Sequence, residues 1–351
     1  MAMRTVGYSF LKRELNLEVF EARLPARTAA VLRVIIRQDH LSIPEGVAPA
    51  PKASLLDHVL FALKHEGIDL QILSQTMLHI PEAALLQAIT DSPGGGYIRK
   101  ACYLWEEFTG QVLNNAPQVT GGVLDLFDPE EYVTMPGTVA KRWRIHFNGL
   151  GTLQYCAVVR LTLRIQEQMA AGLFDRLREF AISTDQMLLD RAVSWAYVSE
   201  TDGSFAIERE TASSSKRERF AKLLMRAHEG RLLDEDYLVE LQNATIDSPV
   251  DRALGYRDQQ NRLVSGNVVT YMPPPPALGK ELMAHLLRLA NCAPKALNPV
   301  IAATLSSFGF VFIHPFMDGN GRISRFLFHK ALCDSGQLPR PLLSAYLKVT
   351  P

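Results

Sequence analysis

The densest cluster of chemically capable side chains lies between Ile313 and Leu327, in the order Ile-His-Pro-Phe-Met-Asp-Gly-Asn-Gly-Arg-Ile-Ser-Arg-Phe-Leu. His314 is the one group there whose ordinary pKa lies near neutrality, so it can take a proton from an attacking hydroxyl. Gly319-Asn320-Gly321 makes a tight loop whose backbone N–H groups can converge on an anion. A helix starting just after it adds free donors and the positive end of its dipole. Asp318 is a hard oxygen ligand of the kind Mg²⁺ takes, one or two carboxylates together with substrate phosphates. Taken singly, each residue has an ordinary reading: a histidine capping a helix, an interhelical turn, a carboxylate at a helix start. None of these readings accounts for all the pieces together.

Two helices must position this loop. Asn298-Pro299 offers an N-cap and a proline at the first helical position, and Ile301, Leu305, Phe308 and Phe312 predict the buried stripe of a helix that delivers His314. After the loop, Ile323, Phe326, Leu327 and Ala331 predict a second buried stripe, with Arg322, Arg325 and His329 on a different face. Leu263-Val264 and Val268-Val269 flank Ser265-Gly266-Asn267, a short hairpin signal. The following Pro273-Pro274-Pro275-Pro276 cannot continue a central strand.

Toward the N-terminus, Ser54 is a candidate N-cap for a helix from Leu55 to about His65, and further helices are expected around 70–78, 81–89 and 97–108. Residues 110–140 are rich in turn formers and place a domain boundary near 135. Asn148-Gly149 reads as a hairpin turn, and helical periodicity resumes from Leu163.

The pattern His314-x-Phe316-x-Asp318-Gly319-Asn320-Gly321-Arg322-x-x-Arg325 resembles the Fic-domain signature HxFx[DE]GNGRxxR at every specified position. The resemblance implies a mainly α fold, a Fic-type helical core over 195–351 with a short β-hairpin flap. A connecting segment, 136–194, with a hairpin and helix, would join it to an accessory module at 1–135 that is mixed or mostly helical. Fic enzymes commonly transfer AMP from ATP to a Ser, Thr or Tyr hydroxyl of a protein. The resemblance then implies that His314 is the general base, Phe316 a packing residue and Asp318 the ligand of Mg²⁺ or Mn²⁺. Gly319, Asn320, Gly321 and Arg322 would hold the α- and β-phosphates, and Arg325 the γ-phosphate. Leu263, Val264, Val268 and Val269 would form the flap that pairs with the target's main chain. Ser204-Phe205-Ala206-Ile207-Glu208 resembles the family's inhibitory motif, in which Glu208 pairs with Arg325; Arg209 stands where Gly or Asn is usual.

Rival readings stay open: transfer of UMP, phosphocholine or phosphate on the same fold, or a regulatory binding protein with a vestigial core. The intact Gly319-Asn320-Gly321-Arg322 speaks against the kinase-like variant. The partner implied is a protein target, the chain itself included, with room for a homodimer.

Composition narrows the classes further. At roughly 100–200 residues per domain, 351 residues make two domains or one large domain with an appended region. Lys+Arg and Asp+Glu are both 37, so the basic excess of a dedicated nucleic-acid binder is missing. DNA binding is expected only from a region continuing past Pro351, where the family's core commonly extends. No apolar run reaches a membrane span, and Lys12, Arg13, Glu14 and Glu18 interrupt the place of a signal peptide, so the expected location is the cytoplasm. Cys102, Cys156, Cys292 and Cys333 have no metal or disulfide spacing. His65-Glu66 and His228-Glu229 start a zincin motif, but Asp69 and Leu232 stand where its second histidine belongs.

Overall fold

The computed structural model describes residues 3–207, 214–246, 250 and 252–338. It divides into two compact units, Met1–Gly149 and Leu150–Pro351. The first contains, in chain order, α1 (Gly7–Glu14), β1 (Ala26–Ala29), β2 (Ile35–Ile36), β3 (Leu41–Pro44), α2 (Leu55–His65), α3 (Leu70–Met77), α4 (Glu82–Asp91), α5 (Gly96–Thr109), β4 (Leu124–Asp125), β5 (Thr138–Ala140) and β6 (Ile145–Phe147). The four helices expected from Leu55 onward form close to their expected bounds. Ser54 caps α2 through a reciprocal pair: its Oγ accepts from the Asp57 N–H at 3.2 Å while Asp57 Oδ2 accepts from the Ser54 N–H at 2.8 Å.

The turn-rich stretch 110–140 is not the seam between the units. β6 pairs with β5 on one side and with β4 on the other. The buried Arg99 of α5 donates to the carbonyls of Trp143 and Arg144, both at 2.9 Å. These bonds hold residues 124–147 in the first unit and put the division at Gly149, past the expected 135. Asn148-Gly149 is likewise not a hairpin turn, because the strands before and after it belong to different sheets. The Asn148 amide instead clasps the backbone of Phe127, accepting from its N–H at 3.0 Å and donating to its carbonyl at 2.8 Å.

The second unit opens with a hairpin of β7 (Leu150–Thr152) and β8 (Tyr155–Ala157). It continues through α6 (Leu163–Ala170), α7 (Leu173–Ser183), α8 (Gln186–Ile207), α9 (Ser214–Met225), a 3₁₀ turn at Arg226–His228 and α10 (Glu235–Thr245). A second hairpin, β9 (Leu263–Ser265) and β10 (Val268–Tyr271), precedes α11 (Pro276–Ala296), α12 (Pro299–Ile313) and α13 (Asn320–Asp334). The core is helical: Tyr237, Leu238 and Leu241 of α10, Met283 and Leu286 of α11, Phe310 and Ile313 of α12, and Ile323, Phe326 and Leu327 of α13. Each such side chain contributes roughly 1.5–3 kcal/mol of apolar burial.

α12 turns a different face inward from the one expected. Beyond Pro299 its buried positions are Ala302, Ala303, Ser306, Gly309, Phe310 and Ile313, while Phe308 is 68% and Phe312 46% exposed. The helix is apolar on most sides, so period alone could not select the buried stripe. Close approach selects it: a Cβ on Gly309 would lie 2.2 Å from the Tyr155 hydroxyl and 2.8 Å from Leu286 Cδ1. On α13 the expected stripe is buried, and so are Arg322 and His329 on its other side. Among the described residues no helix is long and apolar enough to cross a membrane.

Candidate active site

Asn298 and Pro299 start α12 as their types dictate, the Asn298 side chain accepting from the Val300 N–H at 3.0 Å. The helix ends at His314, which takes a left-handed conformation (φ 55°, ψ 59°) and so turns the chain sharply into the loop. A non-glycine residue pays strain for this conformation. His314 is 8% exposed. Its Nδ1 lies 3.2 Å from the Val311 carbonyl. A carbonyl only accepts, so in this contact Nδ1 carries the hydrogen, and in the neutral ring Nε2 is left with the lone pair. Burial lowers the His314 pKa below the ordinary histidine value, the Val311 carbonyl opposes this, and the Arg257 charge adds to the lowering.

The loop from Pro315 to Gly319 is built around two inward side chains. Phe316 is buried, its ring centroid 5.7 Å from that of Tyr256 and 6.2 Å from that of Phe310. Asn320 is also buried, and both ends of its amide close the loop: Oδ1 accepts from the Phe316 N–H at 3.0 Å and Nδ2 donates to the Phe316 carbonyl at 2.8 Å. What Asn320 offers an anion is therefore its main chain. Gly319 has φ 85°, and a Cβ there would sit 3.3 Å from Thr245 Oγ1, so conformation and space both call for glycine. α13 begins immediately afterwards and presents its N-terminal donors to this loop.

Asp318 has a side chain 60% exposed, its Oδ1 accepting from the Gly319 N–H at 2.6 Å and from Arg322 at 3.3 Å. Among the described residues no group of three or more His, Cys, Asp or Glu gathers as a self-sufficient metal site. An exposed single carboxylate beside an anion cradle fits a cation whose other ligands are phosphates and water. Arg322 is 2% exposed, one terminal nitrogen donating to the Thr245 carbonyl at the end of α10 at 2.9 Å and the other to Asp318 Oδ1 at 3.3 Å. Arg325 is half-buried one turn further on.

The structure thus brings His314, Asp318, Gly319, Asn320, Gly321 and Arg322 onto one loop and helix start. The hairpin carrying Leu263, Val264, Val268 and Val269 is exposed along both strands and is tethered to this loop, the Asn261 amide donating to the Met317 carbonyl at 3.4 Å. Its register slips between Val269 and Tyr271. Of the inhibitory segment, Ser204 lies within the helical span of α8, and Glu208 lies outside the described residues. Sequence reasoning missed the supports of the loop: Gln242, whose amide reaches the Asp318 carbonyl at 3.4 Å, the Thr245 carbonyl under Arg322, and Arg257. Only Arg257 left a signal, as a cation just before the hairpin.

Residues 232–332 match the Fic/DOC family. The chain carries a Fic domain. The chain is 28% identical over 201 residues to the protein adenylyltransferase Fic of Nematostella vectensis, covering 49% of this chain and 47% of that one. It is 30% identical over 207 residues to the protein adenylyltransferase Fic of Aedes aegypti, covering 51% and 41%. The chain thus spans less than half the length of these curated relatives. Similar solved structures are a Fic domain containing signaling protein of Bacteroides thetaiotaomicron, with 20% identity, TM-score 0.37 and coverage of 48% of this chain and 72% of that one, and Fic-1 of C. elegans, with 16%, 0.35, 86% and 83%.

Proposed function

We propose that this Fic domain moves AMP from ATP to a side-chain hydroxyl of a protein. The observation that carries the reading is the Nδ1 contact of His314 with the Val311 carbonyl, which leaves Nε2 as the proton acceptor on a ring that burial favours in its neutral form. Nε2 takes the hydroxyl proton as the hydroxyl oxygen bonds to the α-phosphorus. The bond from that phosphorus to the bridging oxygen breaks, and pyrophosphate leaves with the electron pair. The N–H groups of the loop and the first turn of α13 oppose the charge that accumulates on the phosphate oxygens. Arg322 and Arg325 add cationic donors along the same helix. Asp318 would hold Mg²⁺ or Mn²⁺, which when bound neutralises phosphate charge.

The exposed hairpin suits strand addition, so an extended segment of the target would pair with it and bring a hydroxyl toward His314. Glu208, from the resemblance of Ser204–Glu208 to an inhibitory motif, would compete for Arg325 with the γ-phosphate. A cytoplasmic setting belongs to the same proposal, and the four free thiols suit a reducing compartment.

His314→Ala tests the assignment. ATP binding by titration calorimetry stays within a factor of about two, while AMP transfer falls by about 10² or more, the scale of a lost general base. Unchanged turnover would remove His314 from the chemistry. Because burial lowers its folded pKa, the base form persists to lower pH, and the acid limb of transfer is displaced to more acid pH than an ordinary histidine would give.

A further inference from the structure

Arg257 sits immediately before the hairpin, is 5% exposed, and donates only to main-chain carbonyls among the described residues. Its Nε reaches the His314 carbonyl at 2.8 Å, one terminal nitrogen reaches the Gln259 carbonyl at 2.9 Å, and the other reaches the Pro274 carbonyl. Its own N–H donates to the Pro315 carbonyl at 2.7 Å. One residue therefore bonds both roots of the hairpin, at 259 and 274, and both of the first two positions of the loop, at 314 and 315.

The placement has a physical cause. The last carbonyls of a helix lack intrahelical donors and carry the negative end of its dipole, and the left-handed His314 ends α12 with such a group. A planar guanidinium presents donors in three directions at fixed angles, which suits three carbonyls that must be held at once; an ammonium is a point with no such fork. Two weaker ties run parallel to it. The Tyr271 hydroxyl donates to the Phe312 carbonyl, with the two rings 6.0 Å apart, and the slip in register at Thr270 is what aims Tyr271 there. The Gln260 amide donates to the Pro273 carbonyl at 2.9 Å and so closes the hairpin's base on itself.

We propose that Arg257 is a positioning residue that locks the hairpin and the His314 turn into one rigid piece, so that whatever strand the hairpin receives is held in fixed register with the imidazole. The proposal rests on the reading of His314 as base and of the hairpin as the target-binding edge. Arg257 touches no reacting atom in this account. It fixes the spacing between the surface that recognises the target and the group that activates it, and such spacing governs rate steeply. The charged groups facing the imidazole are Arg257 from the hairpin base and Asp318 from the loop.

The experiment compares the full chain with Arg257→Gln, Arg257→Lys and Tyr271→Phe, using peptide-resolved hydrogen exchange and the imidazole ¹³Cε1 resonance of His314, identified by its absence from His314→Ala. Neither measurement needs nucleotide or target, so its failure is distinct from a failure of AMP transfer. Arg257→Gln and Arg257→Lys are both expected to speed exchange over 259–274 and 314–318 by about tenfold or more, with α10 and α11 as protected as in the parent. The His314 resonance moves in both. Tyr271→Phe speeds exchange only near 268–274 and leaves that resonance in place. Exchange over the hairpin equal to the parent's in Arg257→Gln would overturn the proposal. Full rescue by lysine would do so too, because charge alone would then suffice, as would deprotection spread evenly over α10–α13, which marks a general loss of stability.

Discussion

Asn320→Ala isolates the loop's architecture from its chemistry. The amide closes a five-residue ring with Phe316 through bonds of 3.0 and 2.8 Å, and both residues are buried. Alanine cannot reach either group, so the Phe316 N–H and carbonyl lose their partner. Each buried polar group left unsatisfied costs about 1–3 kcal/mol, which gives roughly 2–6 kcal/mol for the pair. Packing of Phe316 against Tyr256 and Phe310 limits entry of water and favours the upper part of that range. The assay is urea unfolding of the second unit, followed by exchange of peptides from α11–α13 so that the first unit's transition does not interfere. Met317→Ala, at an exposed position in the same loop, is the control and should stay within about 0.5 kcal/mol. ATP affinity should fall in Asn320→Ala as well, because the N–H groups that the ring aligns are no longer held. If Asn320→Ala costs no more than the Met317 control, the closure of this loop by the Asn320 amide does not matter and the reasoning fails.

Three other outcomes are expected. Asp318→Ala should raise the Mg²⁺ concentration needed for half-maximal transfer, since the bridging ion loses its protein ligand; superimposable metal titrations would make Asp318 a structural residue holding Gly319 and Arg322. Glu208→Gly should raise transfer from ATP, self-modification included, by about ten- to a hundredfold, the worth of one Arg–carboxylate clamp, while Glu218→Gly leaves it unchanged. Glu218 pairs with Lys222 on an exposed face, where such pairs weigh little. In the first unit, burial pushes the Glu66 carboxyl up to about 8 although it accepts from the Tyr8 N–H at 3.0 Å. A raised folded pKa means stability that is complete below about pH 4.5 and is lost as pH rises through about 8, on the order of 3–5 kcal/mol in all. Glu66→Gln keeps an acceptor and removes the titration, so its melting temperature relative to the parent should climb between pH 5 and pH 8.5; a constant difference would assign the carboxyl no such role.

Local signals were legible where one residue type has one physical consequence. Ser54 and Asn298 cap the helices they were expected to cap, and the Gly266-Asn267 turn sits between strands at the expected valines. The loop from His314 to Arg322 could be read because its chemistry is contiguous in the chain. The remainder depends on contacts between distant residues. The inward face of α12 was misread because small residues, Ala302, Ser306 and Gly309, decide it by permitting close approach, and they add nothing to a hydrophobic stripe. Asn148-Gly149 has the composition of a hairpin turn but serves Phe127, more than twenty positions away in sequence. Arg257 shows in the sequence only as a cation ahead of the hairpin, and its bonds do not show at all, since its partners are carbonyls that every residue carries.

The most direct test of the account is label transfer to protein from ATP carrying ³²P at the α-position, set against ATP labelled at the γ-position, with Mg²⁺ present and His314→Ala alongside. Protein labelled from α-³²P-ATP alone, with that label lost in His314→Ala, is the predicted result. Label from the γ-position would mean that phosphate and not AMP is transferred, and α-label undiminished in His314→Ala would contradict the assignment of the base.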